Sequence, residues 1–311
     1  MLELFKNRAS FMIILVFSLL GTLLFSGSVQ ITGRVEFNYR VNPDFTLGTS
    51  NAFVGDNAAY LVVTANGPVM VVDMKYTSPN FTSIYVNELF VPWKVNDNLT
   101  AFFGYRNIAD YDGFLGNAGS LKWAKNGVGI LWYKSVFSLI YGIPGLMIEA
   151  GTDFQSTLTS PLSYVVLAKT SVGPVKINAN VTGKIDGTQT AVGARLAYRI
   201  SPFNLYLAVG YSFSTASITG LLIGLDGQVG DLGGLAEVDA TEFDKVKLYG
   251  DIYYKFQAYK FGATGNYDFS NGKFVLQPYV VTKLGAADGR ISARFEETGY
   301  KYLLLNVGFG F

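Results

Sequence analysis

The sequence predicts an all-β chain, a closed antiparallel transmembrane β-barrel of about 16 strands, with roughly 14 to 18 allowed by segments that divide in more than one way. Three observations predict it. Apolar and polar residues alternate with a period of two from Val29 to the last residue. The 311 residues are 50% hydrophobic and 15% aromatic but only 15% charged, against roughly 25% charged in soluble domains. That apolarity is dispersed, since past Ser28 no run approaches the ~20 residues of a membrane-spanning helix.

The first alternating run, VQITGRVEFNYRV, sets Val29, Ile31, Val35, Phe37, Tyr39 and Val41 against Gln30, Thr32, Arg34, Glu36, Asn38 and Arg40. Successive strand side chains point to opposite faces, so one face is greasy and the other ionic. Thirteen residues exceed a usual strand of about five or six and suit a tilted span of ~9–11 with its ends. The same pattern recurs at Val175 to Lys184 and Lys245 to Gln257, and further at Leu99 to Arg106, Thr190 to Ile200, Leu205 to Ser214, Tyr259 to Phe269, Phe274 to Leu284 and Arg290 to Glu296. Gly67-Pro68, Asn96-Asp97, Asp186-Gly187, Ser201-Pro202, Asn271-Gly272 and Asp288-Gly289 supply turn chemistry between runs, which makes neighbouring strands antiparallel. The stretches Val136 to Phe154 and Ile218 to Asp239 can each be cut in several ways, hence the range in strand number.

Closure follows from backbone chemistry. In hydrocarbon every N–H and C=O needs an internal partner, so a sheet spans a bilayer only when joined edge to edge. With the greasy faces on lipid, the ionic faces look into a polar lumen, and about 16 strands are too many for side chains to fill it. Sorting charges by face places Arg34, Arg40, Arg106, Lys176, Arg195, Arg199, Lys247, Lys255, Arg290 and Arg294 on the pore lining. There the bases outnumber the acids Glu36, Asp73, Asp251, Asp268 and Glu296. By the same sorting an arginine replacing lipid-facing Val209 is damaging, and one replacing lumen-facing Ala208 is tolerated.

Lys6 and Arg8 precede an apolar stretch from Phe11 to Phe25 and the small residues Ser26, Gly27 and Ser28, so residues 1–28 read as a secretory signal peptide, with the barrel over 29–311. The chain has no cysteine and no histidine, which removes disulfides, thiolate or imidazole metal sites and imidazole bases. No enzyme, cofactor or metal is expected. The net charge of +1 gives no reason to expect nucleic acid as a partner.

The chain ends on LLLNVGFGF, where Phe309 and Phe311 share the greasy face and Phe311 is the last residue. This resembles bacterial outer-membrane β-barrel proteins, whose final strand commonly closes on an aromatic-x-Phe pattern. The resemblance implies a bacterial outer-membrane location and makes Phe309 and Phe311 the expected signal to the barrel-assembly machinery. General porins provide the nearest functional likeness: passive, water-filled channels for small hydrophilic solutes and ions, set in a lipid bilayer as homotrimers. Their third external loop folds into the lumen, and by that likeness the segment Asn107 to Asn126 would place Asp110 and Asp112 at a constriction facing Arg34, Arg40 and Arg106. The alternatives left open are a structural barrel anchoring an external layer or surface protein, and a secreted soluble β-sandwich.

Overall fold

The computed structural model describes residues 29–46, 59–65, 67–77, 80–109, 132–153, 162–242 and 245–311. Eighteen strands follow one another: β1 (Val29–Val41), β2 (Ala59–Ala65), β3 (Val69–Thr77), β4 (Asn80–Lys94), β5 (Leu99–Ala109), β6 (Trp132–Ile143), β7 (Leu146–Asp153), β8 (Ser163–Val172) and β9 (Val175–Lys184) make the first half. The second half is β10 (Ala191–Ile200), β11 (Phe203–Ser212), β12 (Ser217–Val229), β13 (Leu232–Glu242), β14 (Lys245–Phe256), β15 (Tyr259–Asp268), β16 (Lys273–Leu284), β17 (Ala287–Glu296) and β18 (Gly299–Gly310). Each pairs antiparallel with the next, and β18 returns to β1, so the sheet is a closed barrel. At the seam Gly33 and Phe311 exchange N–H···O bonds of 2.9 and 3.0 Å.

The count lies at the top of the expected range because both ambiguous stretches divide at two-residue turns. Val136 to Phe154 breaks between Ile143 and Leu146, and Ile218 to Asp239 breaks between Val229 and Leu232. One turn assignment needs correction. Asp288-Gly289 lies inside β17, with the turn at 285–286, and Asp288 is thereby a wall residue.

The two barrel ends differ. At the end where β1 begins and β18 finishes every connection has four residues or fewer, whereas the opposite end carries 42–58, 110–131, 154–162 and 185–190. Turn carboxylates tie the shorter of these. Asp186 accepts from the Thr188 N–H at 2.9 Å and from its hydroxyl at 2.6 Å, which hold the carboxyl below its ordinary range.

The outer face is apolar throughout its height, with Ile31, Phe37, Leu139, Ile148, Leu196, Leu207, Ile223, Val238, Ile252, Phe261, Leu276 and Ile291 exposed on it. A soluble sandwich would bury such residues; here they form a belt that only lipid satisfies. Exposed rings fall near both strand ends, with Trp93, Tyr141, Tyr198, Tyr254 and Tyr259 at the short-turn end. Tyr39, Phe213, Tyr267, Phe269 and Tyr300 lie at the other. Those are the heights where amphipathic rings meet headgroups. Tyr302, which its place near a strand end assigns to this set, instead faces the lumen, where the Arg40 and Arg294 guanidiniums lie 4.3 and 5.8 Å from its ring centroid.

Candidate pore wall

The inner face divides into two unlike walls. From β8 round to β13 its middle is packed: Leu167, Asn178, Asn180, Arg195, Tyr206, Ala208, Leu222, Glu237 and Asp239 are all buried. From β14 round through β18 to β1 Tyr279 and Ser292 are buried, but inward charged side chains keep partial access to solvent, with Arg34, Arg294 and Lys260 each about a third exposed.

Side chains on both walls reach across an intervening strand, and glycine makes the reach possible. Tyr206 on β11 stands opposite Gly224 on β12, which stands opposite Glu237 on β13. The ring lies over Gly224, where a Cβ would collide with it, and the hydroxyl donates to Glu237 Oε1 at 2.5 Å. Replacing Gly224 with valine is therefore expected to expel the ring and leave Glu237 without that donor. The expected loss is about 1–3 kcal/mol, read as a lower unfolding midpoint, with Ala236→Val on the outer face as the control. Arg34 crosses Gly308 in the same way, from β1 over β18 to Asp288 on β17 at 3.1 Å. Asp288 also accepts from Lys283 Nζ at 2.5 Å, so one carboxylate serves two bases.

Arg106 sits in a fixed cage. Gly104, at φ +111°, forms a bulge where β5 passes the Leu89 carbonyl so closely that a Cβ would strike it. Beyond the bulge the guanidinium lies 4.1 Å from the Phe102 centroid, donates to Ser138 Oγ at 3.1 Å and pairs with Glu149. Glu149 is almost wholly buried. Its strand, β7, belongs to the stretch whose division the alternation leaves ambiguous, so its inward position goes unseen in sequence.

The other bases assigned to the pore lining distribute as follows. Lys176, Arg195 and Arg199 share the inner register of β9 and β10, with Arg195 buried opposite Asn178 and Ala208. That burial corrects the expected tolerance at Ala208, whose Cβ is enclosed beside the Arg195 side chain. Lys247 stands opposite Asp239 and Asp268. Lys255 bonds Gln228 Oε1 at 2.8 Å. Arg290 stacks on Tyr279 at 4.4 Å, and Arg294 pairs with Glu296 at 2.7 Å. Arg40 leans on Tyr302. The face-sorting missed inward acids: Glu149, Asp226, Glu237, Asp239 and Asp288 all join the wall by register or contact. Asp110 and Asp112 lie outside the described residues, as do residues 1–28, which the sequence reads as a signal peptide. Phe309 points outward beside Val35, and Phe311 is exposed at the seam. Among the described residues no cluster of three acidic side chains is placed to hold a metal ion.

Known structures share this architecture. The outer-membrane protein OpdK of Pseudomonas aeruginosa superposes with a TM-score of 0.58 at 9% identity, over 91% of this chain and 99% of its own. A mutant of the Rh. blastica porin superposes at 0.50 and 14% identity, over 91% of this chain and 100% of its own. The chain has the fold of a porin-like outer-membrane barrel. At these identities the likeness is one of fold, and it agrees with the apolar belt in describing a barrel of the bacterial outer membrane. No family model matches the sequence, and no curated protein matches it.

Proposed function

We propose that this barrel is a porin, a passive water-filled channel for small hydrophilic solutes and ions. The observation that carries the reading is the accessible ionic wall from β14 to β1 inside a closed barrel whose outside is apolar. An anchoring barrel has no use for solvent-exposed ions on its inner face. Steady single-channel conductance in a planar bilayer tests it, and a folded barrel that passes no current would favour the anchoring role instead.

Selectivity follows from the two walls. Most of the acids that the alternation missed, Asp226, Glu237 and Asp239, sit on the packed wall, and Glu149 is buried next to it on β7. On the open wall Lys255, Lys260, Arg290, Arg34 and Arg40 face Asp251 and Asp288, leaving a cationic surplus. Charge in a low-dielectric wall focuses its field into the lumen, so reversal potentials under a KCl gradient are expected to show modest anion preference. The preference should fade toward 1 M salt, where the Debye length is about 3 Å. Cation preference that reverses on Asp110→Asn with Asp112→Asn would move selectivity from the wall to those two carboxylates.

Residues 1–28 are proposed as a cleaved leader, and Phe309 with Phe311 as the assembly signal. Deleting Phe311 is expected to slow insertion severalfold without altering the conductance of inserted molecules. Unchanged insertion kinetics would remove that role.

A further inference from the structure

Two guanidiniums on the open wall are held on tyrosine rings with no carboxylate beside them. Arg290 on β17 lies 4.4 Å from the Tyr279 centroid and Arg40 on β1 lies 4.3 Å from the Tyr302 centroid. Neither has an acidic partner among the described residues, and Arg40 Nε has no hydrogen-bond partner there at all. Their neighbours differ, since Arg34 is matched by Asp288 and Arg294 by Glu296. The Tyr279 platform is firm. Tyr279 is buried over Gly262 and its hydroxyl donates to Asp251 at 2.9 Å. Stacking occupies one face of a guanidinium and leaves its in-plane N–H groups for a carboxylate, which at Arg40 means the two terminal nitrogens because Nε is buried.

The register defines what lies between them. Arg290 stands opposite Asn306 and Arg40 opposite Leu304, so β18 separates the two arginines with Leu304 and Asn306 facing the lumen. Val281 flanks Arg290 on its other side. Two strand spacings of ~4.8 Å and an offset of two residues at ~3.4 Å put the arginine Cα atoms about 12 Å apart. Leucine and valine on a wall bathed by water gain nothing from inorganic ions. A hydrocarbon surface between two unmatched cations fits a molecule with a compact hydrocarbon body and an anionic group at each end.

We propose that Arg290, Arg40, Leu304 and Val281 form a binding strip for an organic dicarboxylate, with one carboxylate on each guanidinium and the hydrocarbon body across Leu304. The proposal rests on the channel reading only in that the lumen admits the ligand. Calorimetric titration of the barrel folded in detergent micelles tests the strip without requiring current. Terephthalate is expected to bind saturably, and benzoate at least tenfold more weakly. Arg290→Gln and Arg40→Gln should each weaken terephthalate about tenfold, with folding checked by heat-modifiable migration. Leu304→Asn, which leaves every charge in place, should weaken terephthalate as well. Equal binding of benzoate and terephthalate would overturn the two-ended site. Displacement by sulfate at the same concentration as terephthalate would overturn the role of the hydrocarbon body. Unchanged binding in both arginine variants would overturn the location. Saturable terephthalate binding by a barrel that passes no current would uphold the strip while sinking the channel.

Discussion

Arginine in place of Ile223 is expected to lower barrel stability by about 2–4 kcal/mol. Ile223 lies midway along β12 and is half exposed on the outer face. Its register partners Leu207 and Val238 are exposed there too, so the new cation has no inward neighbour to pair with. Thr264 on β15 is the matched control. It is central in its strand, faces inward, and stands opposite Asp251 and Gln277 on the open wall. Thr264→Arg should fold within about 0.5 kcal/mol of the parent, as substitutions away from packed features do. Urea unfolding midpoints in lipid vesicles measure both. Similar losses at the two positions would mean that the faces are assigned wrongly or that neither looks into lipid.

Glu149→Leu is expected to cost about 3–5 kcal/mol, because it leaves the Arg106 guanidinium uncompensated in a largely buried cage. Most of that loss comes from stranding the charge, so Arg106→Met placed on top should recover much of it. An intact pair whose removal as a pair is nearly neutral is the usual behaviour of buried ions. The measurement is a double-mutant cycle on unfolding free energy. Additive losses in the double variant would show that Arg106 and Glu149 stabilise the barrel through separate contacts.

The strands were largely legible because a barrel that separates lipid from water enforces strict alternation. β1 and β9 have the bounds read from Val29 to Val41 and Val175 to Lys184, and the β14 to β16 bounds agree within one residue. Alternation failed where glycine and alanine dilute the pattern. In LGGLAEVDATE the inward Glu237 and Asp239 alternate about Val238, but Leu235 shares their inward face and Gly233 and Gly234 precede it, so the run does not read as one alternating strand and leaves their face unassigned. The packed half of the lumen was illegible for a different reason. Alternation reports which way a side chain points but carries no information on what lies over it, so Arg195 and Lys255 read alike, although one is buried and the other exposed. The glycine crossings were hidden too, because Arg34 and Asp288 are 254 residues apart in the chain and meet only across β18.

The seam between β1 and β18 constrains how the chain can be made. β1 pairs with β18, seventeen strands later in the chain, so the first strand waits for β18 before its second edge is covered. Until then the nascent sheet presents two unpaired edges, each a template for pairing with other chains. Closure is also the least local contact the sequence can form, and such contacts come late because loop entropy is lost before they reward it. A chain truncated anywhere before β18 is thus an open ribbon, sticky in water and unable to enter lipid. Pairing of β18 with β1 is the step that turns a strand ribbon into a body without edges.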